Sequence, residues 1–280
     1  VNEEYKAAVE FVKKHYENFP VISFFLPEEI KKHIALIYRF AREADDIADN
    51  ENLPAEERLK KLTEYEVNLL KAMTGKYVTP FWRALHNTIT TYKLTTENFF
   101  ALLRAFKQDV KNKPFETFDD EIAYCKNSAN PVGRLVLELF DIRDEEAFRF
   151  SDKITMALQL TNFYQDVSRD VKKKRLYFPL DELEKFGVTR ERIYNSVFDE
   201  NFKRLMKFSV ERCKNLFAQG NGLYEFLPPL LKFHIKITAS SGIAVLEKIE
   251  KNNYDTLNVR PELSKFDFVK IFLKELLSAR

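Results

Sequence analysis

Apolar residues recur at helical spacing along almost the whole chain, and few residues interrupt that pattern. The spacing predicts helices over 3–16, 28–49, 55–73, 79–92, 96–109, 117–140, 144–171, 189–218, 223–249 and 265–279. Breakers separate them: ENLP, TGKYVTP, VKNKP and KFGVT. Pro27 followed by Glu28 and Glu29 reads as a helix start, because proline fits the first turn and acids favour the positive helix end. Thr95 or Thr96 is suited to cap the helix that follows. Asn130-Pro131 predicts a kink or break within 117–140, and Pro228-Pro229 predicts one within 223–249. Six glycines in 280 residues are too few for a glycine-rich phosphate-binding fold or a many-turned β protein. No linker rich in Gly, Ser or Pro divides the chain, so a single all-α domain over 1–280 is expected.

A chain of this length encloses a sizeable core. Hydrophobic residues at 45% and charged residues at 31% describe a soluble globular protein, not a disordered one. The net charge of +2 creates no global field that points to nucleic acid, and no such partner is expected. Cys125 and Cys213 are far apart and in no metal or redox spacing; they read as buried thiols, which suits a reducing cytoplasm. The start, VNEEYKAAVEF, shows no signal-peptide pattern. No apolar run approaches the roughly 18–20 residues that span a bilayer. The expected location is the cytoplasm, with peripheral membrane contact as an option. Twenty-six phenylalanines either pack a helical core or line an apolar cavity.

Two acidic stretches carry the chemistry. In YRFAREADDIADN, Asp45, Asp46 and Asp49 crowd one helical segment with no lysine among them. Like charges four apart repel by about 0.2–0.5 kcal/mol per pair. Taken alone, this reads as a solvated acidic patch. The stretch QLTNFYQDVSRDVKKKRLYFP repeats the pattern with Asp166 and Asp170. Tyr38, Arg42, Asp45 and Asp49 fall on one helix side, and so do Gln159, Asn162, Asp166 and Asp170. Two such polar sides in an all-α protein suggest that they face each other across a cavity. Carboxylates so arranged suit Mg²⁺, a hard ion that takes one or two carboxylates, keeps waters and completes its shell with substrate phosphate. No histidine or cysteine accompanies either cluster, which argues against zinc. His15, His33, His86 and His234 are scattered and read as structural or surface groups. Arg42, Arg169 and the run Lys172, Lys173, Lys174, Arg175 offer cationic contacts to a diphosphate; the run also reads as a solvated helix end.

These two stretches resemble the two aspartate-rich motifs of the squalene/phytoene synthase family. YCKNSANPVGRLVLELF is similar to the helix between them in that family, and the resemblance runs from about 15 to at least 260. It implies the all-helical isoprenoid synthase type I fold around a central apolar cavity for prenyl chains. It implies that Asp45, Asp49, Asp166, Asp170 and Asn162 hold Mg²⁺ and diphosphate. Tyr38, Arg42, Asn162 and Tyr254 match catalytic positions. Asn18, Gln159, Gln165, Arg175 and Tyr177 match substrate-contacting positions. Tyr124, Val132 and Gly133 match the middle helix, where small residues leave room for the prenyl chain.

One departure narrows the expectation. Many members of the family carry Lys-Ser-Phe near the N-terminus, whereas this chain has Glu17-Asn18-Phe19-Pro20. Exchanging a cation for an acid weakens the case for a second prenyl diphosphate. ENFPVISFFLP is similar to the hopanoid-pathway, hydroxysqualene synthase branch, which takes presqualene diphosphate as its substrate. That reading ionises the diphosphate, shelters the cation on Phe and Tyr faces and quenches it with water positioned by Asn162, Gln159 or Tyr254. The alternatives are condensation of two farnesyl or geranylgeranyl diphosphates, and a non-catalytic helical scaffold of the same fold. The C-terminal KFDFVKIFLKELLSAR mixes apolar residues with Lys265, Lys270 and Lys274, and either packs on the core or lies on a membrane surface.

Overall fold

Every regular element in the computed structural model is a helix among the residues it describes, 1–14 and 26–278. Asn18 and the rest of 17–20 lie outside the described residues, as does the end of the first expected helix. The helices are α1 (Asn2–Lys14), α2 (Glu28–Ala48), α3 (Ala55–Met73), α4 (Pro80–Thr91), α5 (Thr96–Lys111), α6 (Phe118–Ser128), α7 (Asn130–Leu139), α8 (Glu145–Gln165), α9 (Val167–Asp170), α10 (Leu180–Phe186), α11 (Arg190–Tyr194), α12 (Glu200–Gln219), α13 (Pro229–Lys251) and α14 (Lys265–Ser278).

Local chemistry explains most of the boundaries. Pro27 precedes α2, with Glu28 and Glu29 in its first turn. Thr95 is the N-cap of α5, but its hydroxyl does not cap the helix; its N–H and hydroxyl both donate to Glu138, at 2.8 and 2.5 Å. Thr117 and Asp120 form a reciprocal capping box at the start of α6. The expected break at Asn130-Pro131 separates α6 from α7, and Pro228-Pro229 follows a short 3-10 segment (Gly220–Glu225) and starts α13. Three expectations are corrected. The stretch 144–171 is two helices, opened at Asp166. The stretch 189–218 is also two, parted at Ser196, which takes a left-handed conformation (φ 54°). The third correction is α10, a helix with no counterpart in the periodicity reading.

The chain packs as two units: Val1–Lys113 with Asn130–Phe148, and Pro114–Ala129 with Arg149–Arg280. In the first unit Phe40 is fully buried and meets Phe99, Tyr65 and Trp82, with ring centroids 5.2, 5.3 and 6.2 Å away. Tyr5, His33 and Thr88 form a buried polar knot, with Thr88 Oγ1 2.8 Å from His33 Nδ1 and 3.0 Å from the Tyr5 hydroxyl. Burial lowers the pKa of His33 to about 4.

In the second unit the absence of a side chain at Gly242 lets α13 approach its neighbours. A Cβ there would meet Phe217 Cζ at 2.7 Å and Leu158 Cδ2 at 2.9 Å. Cys125 and Cys213 are buried free thiols. Beside them, Arg212 lies 3.7 Å over the Phe118 ring, donates to Glu182 and has Glu121 at 4.0 Å. Phenylalanine thus serves as core filling in both units.

Candidate active site

The first acidic cluster closes α2. Tyr38, Arg42, Asp45 and Asp49 are all half-buried, while Asp46 points to solvent. The Arg42 guanidinium holds the cluster, donating to Asp46 at 3.0 Å and standing 3.5 Å from Asp45. Asp49 is the C-cap, and its N–H donates to the Asp45 carbonyl at 2.8 Å. The last turn of α2 contains no basic residue. Carboxylates at the negative end of a helix dipole are unfavourable, and a cation there relieves them. Part of that relief comes from α3, where Arg58 donates to the Ala48 carbonyl at 2.6 Å.

The second cluster sits where α8 opens. Gln159, Asn162, Asp166 and Asp170 again share one half-buried side. The Ser168 N–H turns away from its helical partner and donates to the Thr256 carbonyl at 3.1 Å, which splits α8 from α9. Thr256 belongs to a tight turn in which Asn253 and Tyr254 take successive left-handed conformations (φ 53° and 66°). Two strained residues in a row are uncommon and cluster at functional sites. They place Tyr254 in the turn that grips the segment between Asp166 and Asp170. Burial, with Glu250 and Glu211 nearby, raises the Tyr254 hydroxyl pKa.

Arg260 belongs to neither aspartate-rich motif. Its guanidinium donates to Asp166 and, at 2.6 Å, to Glu262. Glu262 also pairs with Arg169 at 3.2 Å. A signal existed, since Arg260 is the sole cation in the stretch 252–264. Gln165 is fully buried and donates to the Pro261 carbonyl at 2.5 Å, anchoring the same loop. Lys172, Lys173 and Lys174 are exposed.

Beside the cluster lies an aromatic group. Tyr177 stacks on Phe163 at 3.8 Å with the rings within 5° of parallel. Tyr124 is 5.9 Å from Phe163, and Phe115 touches both tyrosines, at 5.5 and 6.2 Å. The structure therefore brings together Tyr124 and Tyr177, and adds Phe115 and Phe163, the latter next to Asn162 in sequence, to them. Val132 and Gly133 lie in the first turn of α7, in the first unit, with Val132 40% exposed.

Among the described residues, no three His, Cys, Asp or Glu side chains converge as a metal cage. The donor chemistry of each cluster fits Mg²⁺ all the same. Each offers two carboxylates one turn apart, and the buried Asn162 Oδ1 has no hydrogen-bond partner among the described residues. An ion that keeps several waters and takes substrate oxygens needs no more from the protein.

The squalene/phytoene synthase family model matches residues 12–267. The chain belongs to the squalene/phytoene synthase family. Within it, the chain is 35% identical over 210 residues to hydroxysqualene synthase of Zymomonas mobilis, spanning 74% of this chain and 69% of the relative. It is 24% identical over 272 residues to phytoene synthase of Arthrospira platensis, spanning 92% and 88%. Among solved structures, squalene synthase HpnC from Alicyclobacillus acidocaldarius superposes with a TM-score of 0.84 at 35% identity, covering 90% of this chain and 95% of that one. A dehydrosqualene synthase determined with a ligand superposes with a TM-score of 0.89 over 99% and 96%, at 23% identity, and speaks for the fold alone. The chain thus has the all-helical isoprenoid synthase fold of this family of enzymes.

Proposed function

We propose that this chain is a Mg²⁺-dependent synthase that converts presqualene diphosphate and water to hydroxysqualene and diphosphate, acting as one domain over 1–280. The observation that carries this reading is the 35% identity to a hydroxysqualene synthase, against 24% to a phytoene synthase. The acid at Glu17, where many relatives carry a lysine, supports it.

In this reading Asp45, Asp49, Asp166, Asp170 and Asn162 would hold the metal between substrate and protein. When bound, Mg²⁺ neutralises the charge that develops on the leaving diphosphate. Tyr38, Arg42, Gln159 and Arg175 orient the diphosphate, and Asn18 is assigned to substrate binding by the family resemblance alone. The C–O bond breaks with its electron pair going to diphosphate. The faces of Tyr177, Phe163 and Tyr124 shelter the carbocation, each worth roughly 0.5–2 kcal/mol. Val132 and Gly133 leave room for the chain. Tyr254 positions the water whose oxygen forms the new C–O bond, and the proton passes to solvent. Gln165 positions the Arg260 loop through Pro261.

Incubation with synthetic presqualene diphosphate, and separately with farnesyl and geranylgeranyl diphosphates, tests the proposal by product analysis. Hydroxysqualene from the first substrate alone is expected. Presqualene diphosphate, squalene or phytoene formed from the others would establish the second reading, head-to-head condensation. That reading is favoured by the longer span of the match to phytoene synthase.

A further inference from the structure

Helix α14 has one side too many. Its inner side is fully engaged with α13: Ile271 and Glu275 are buried, Phe272 meets Phe233 edge-on at 5.6 Å, and Glu275 accepts from the Ser240 hydroxyl at 2.7 Å. Its start is fixed by Ser264 and Asp267, which hydrogen-bond reciprocally, while Asp267 also pairs with Lys248 at 2.8 Å. The outer side carries Phe266, Val269, Leu273, Leu276 and Leu277, exposed by 46 to 70%. Five of the fourteen exposed large apolar residues among the described residues thus fall within twelve positions.

Their spacing confines them to an arc about 100° wide at 3.6 residues per turn. Lys265 falls on one edge of that arc, and Lys270 and Lys274 fall on the other. Lys270 already folds its stem over Phe266, with Nζ 4.4 Å from the ring centroid. The two acids of the helix, Asp267 and Glu275, are both tied to α13 or to the helix start, so the outer side is purely cationic and apolar.

We propose that the outer side of α14 is a docking surface for an anionic lipid bilayer. An apolar stripe edged on both sides by lysines matches the acyl–headgroup boundary, with the stripe in the acyl layer and the ammonium groups at lipid phosphates. No helix among the described residues is long and apolar enough to cross a membrane, so α14 lies on the surface. A second copy of the chain is a poorer occupant. A two-fold contact through this stripe would set lysine rows against each other with no acid to answer them. The inference does not depend on which reaction the protein catalyses.

Flotation of the full chain with vesicles tests it. The chain is expected to float with vesicles in which phosphatidylglycerol replaces part of the phosphatidylcholine, and to do so far less with phosphatidylcholine alone. Raising the salt should weaken binding. Leu273→Ser with Leu277→Ser, and separately Lys270→Glu with Lys274→Glu, should each weaken binding by about tenfold or more, with thermal melting unchanged. Failure of the unaltered chain to float, or equal flotation by both variants, would overturn the proposal. So would a dimer in solution that the leucine substitutions dissociate while vesicles go unbound.

Discussion

Arg260 donates to Asp166 across 94 positions of sequence, tying the loop before α14 to the second aspartate cluster. The guanidinium is the counter-ion of the half-buried Asp166 carboxylate, for which Mg²⁺ would compete in the proposed function. Removing it leaves a half-buried carboxylate without its partner. Arg260→Ala is expected to lower stability by about 1.5–3 kcal/mol, the range for charge-assisted hydrogen bonds. Mg²⁺ with inorganic diphosphate should recover part of that loss in thermal melts. A variant as stable as the parent without metal would contradict the assignment.

The first cluster separates function from stability. Asp49→Asn keeps the side-chain shape and removes a charge from the negative end of α2. Denaturant unfolding should change by no more than about 1 kcal/mol. Turnover should fall by about 100-fold or more, as for loss of a group that stabilises developing charge. Substantial unfolding, or full activity, would count against a role in holding metal and diphosphate.

Tyr177 tests the aromatic group. Tyr177→Phe keeps the ring stacked on Phe163 and should keep most of the activity. Tyr177→Leu removes the π face and should cost up to roughly 30-fold in turnover, equivalent to about 2 kcal/mol of cation stabilisation. Equal losses in the two variants would assign the effect to the hydroxyl.

Three buried groups give the stability profile opposite slopes. Burial holds the Glu121 carboxyl well above the usual carboxylate range despite the pull of Arg212. A raised carboxyl contributes stability that is complete below its unfolded value near 4.5 and is lost as pH rises through the folded value. Glu121→Gln should therefore flatten the decline of melting temperature on the alkaline side. Burial lowers His33 and His234 to about 4. Their contribution is present above 6.5 and is lost as pH falls from there towards 4. Melting curves across pH, with imidazole titration followed by NMR, check both slopes.

How legible was this structure in the sequence? Helix identity followed from periodicity, and breaks at Pro131 and Pro229 from proline chemistry. Both acidic sides followed from the spacing of three and four, and both are half-buried. The break at Asp166 was not legible, because no proline or glycine marks it. Its cause is the Thr256 carbonyl, which captures the Ser168 N–H from 88 positions away. The split at Ser196 likewise needs a left-handed serine that no local rule demands. Helix α10 spans only seven residues, too short for a periodic signal. Arg58 on the Ala48 carbonyl and Arg260 on Asp166 are tertiary contacts, which spacing along one helix does not encode.

The proposed function requires that the two aspartate clusters act on one shared diphosphate. Calorimetric binding of inorganic diphosphate at saturating Mg²⁺ tests it most directly, using the unaltered chain, Asp45→Asn, Asp166→Asn and the double variant. Each single substitution is expected to weaken binding by about tenfold or more, and the double variant to lose little beyond either one, as for groups that act as a unit. Independent, additive losses, or unchanged binding when either cluster is altered, would contradict a shared site.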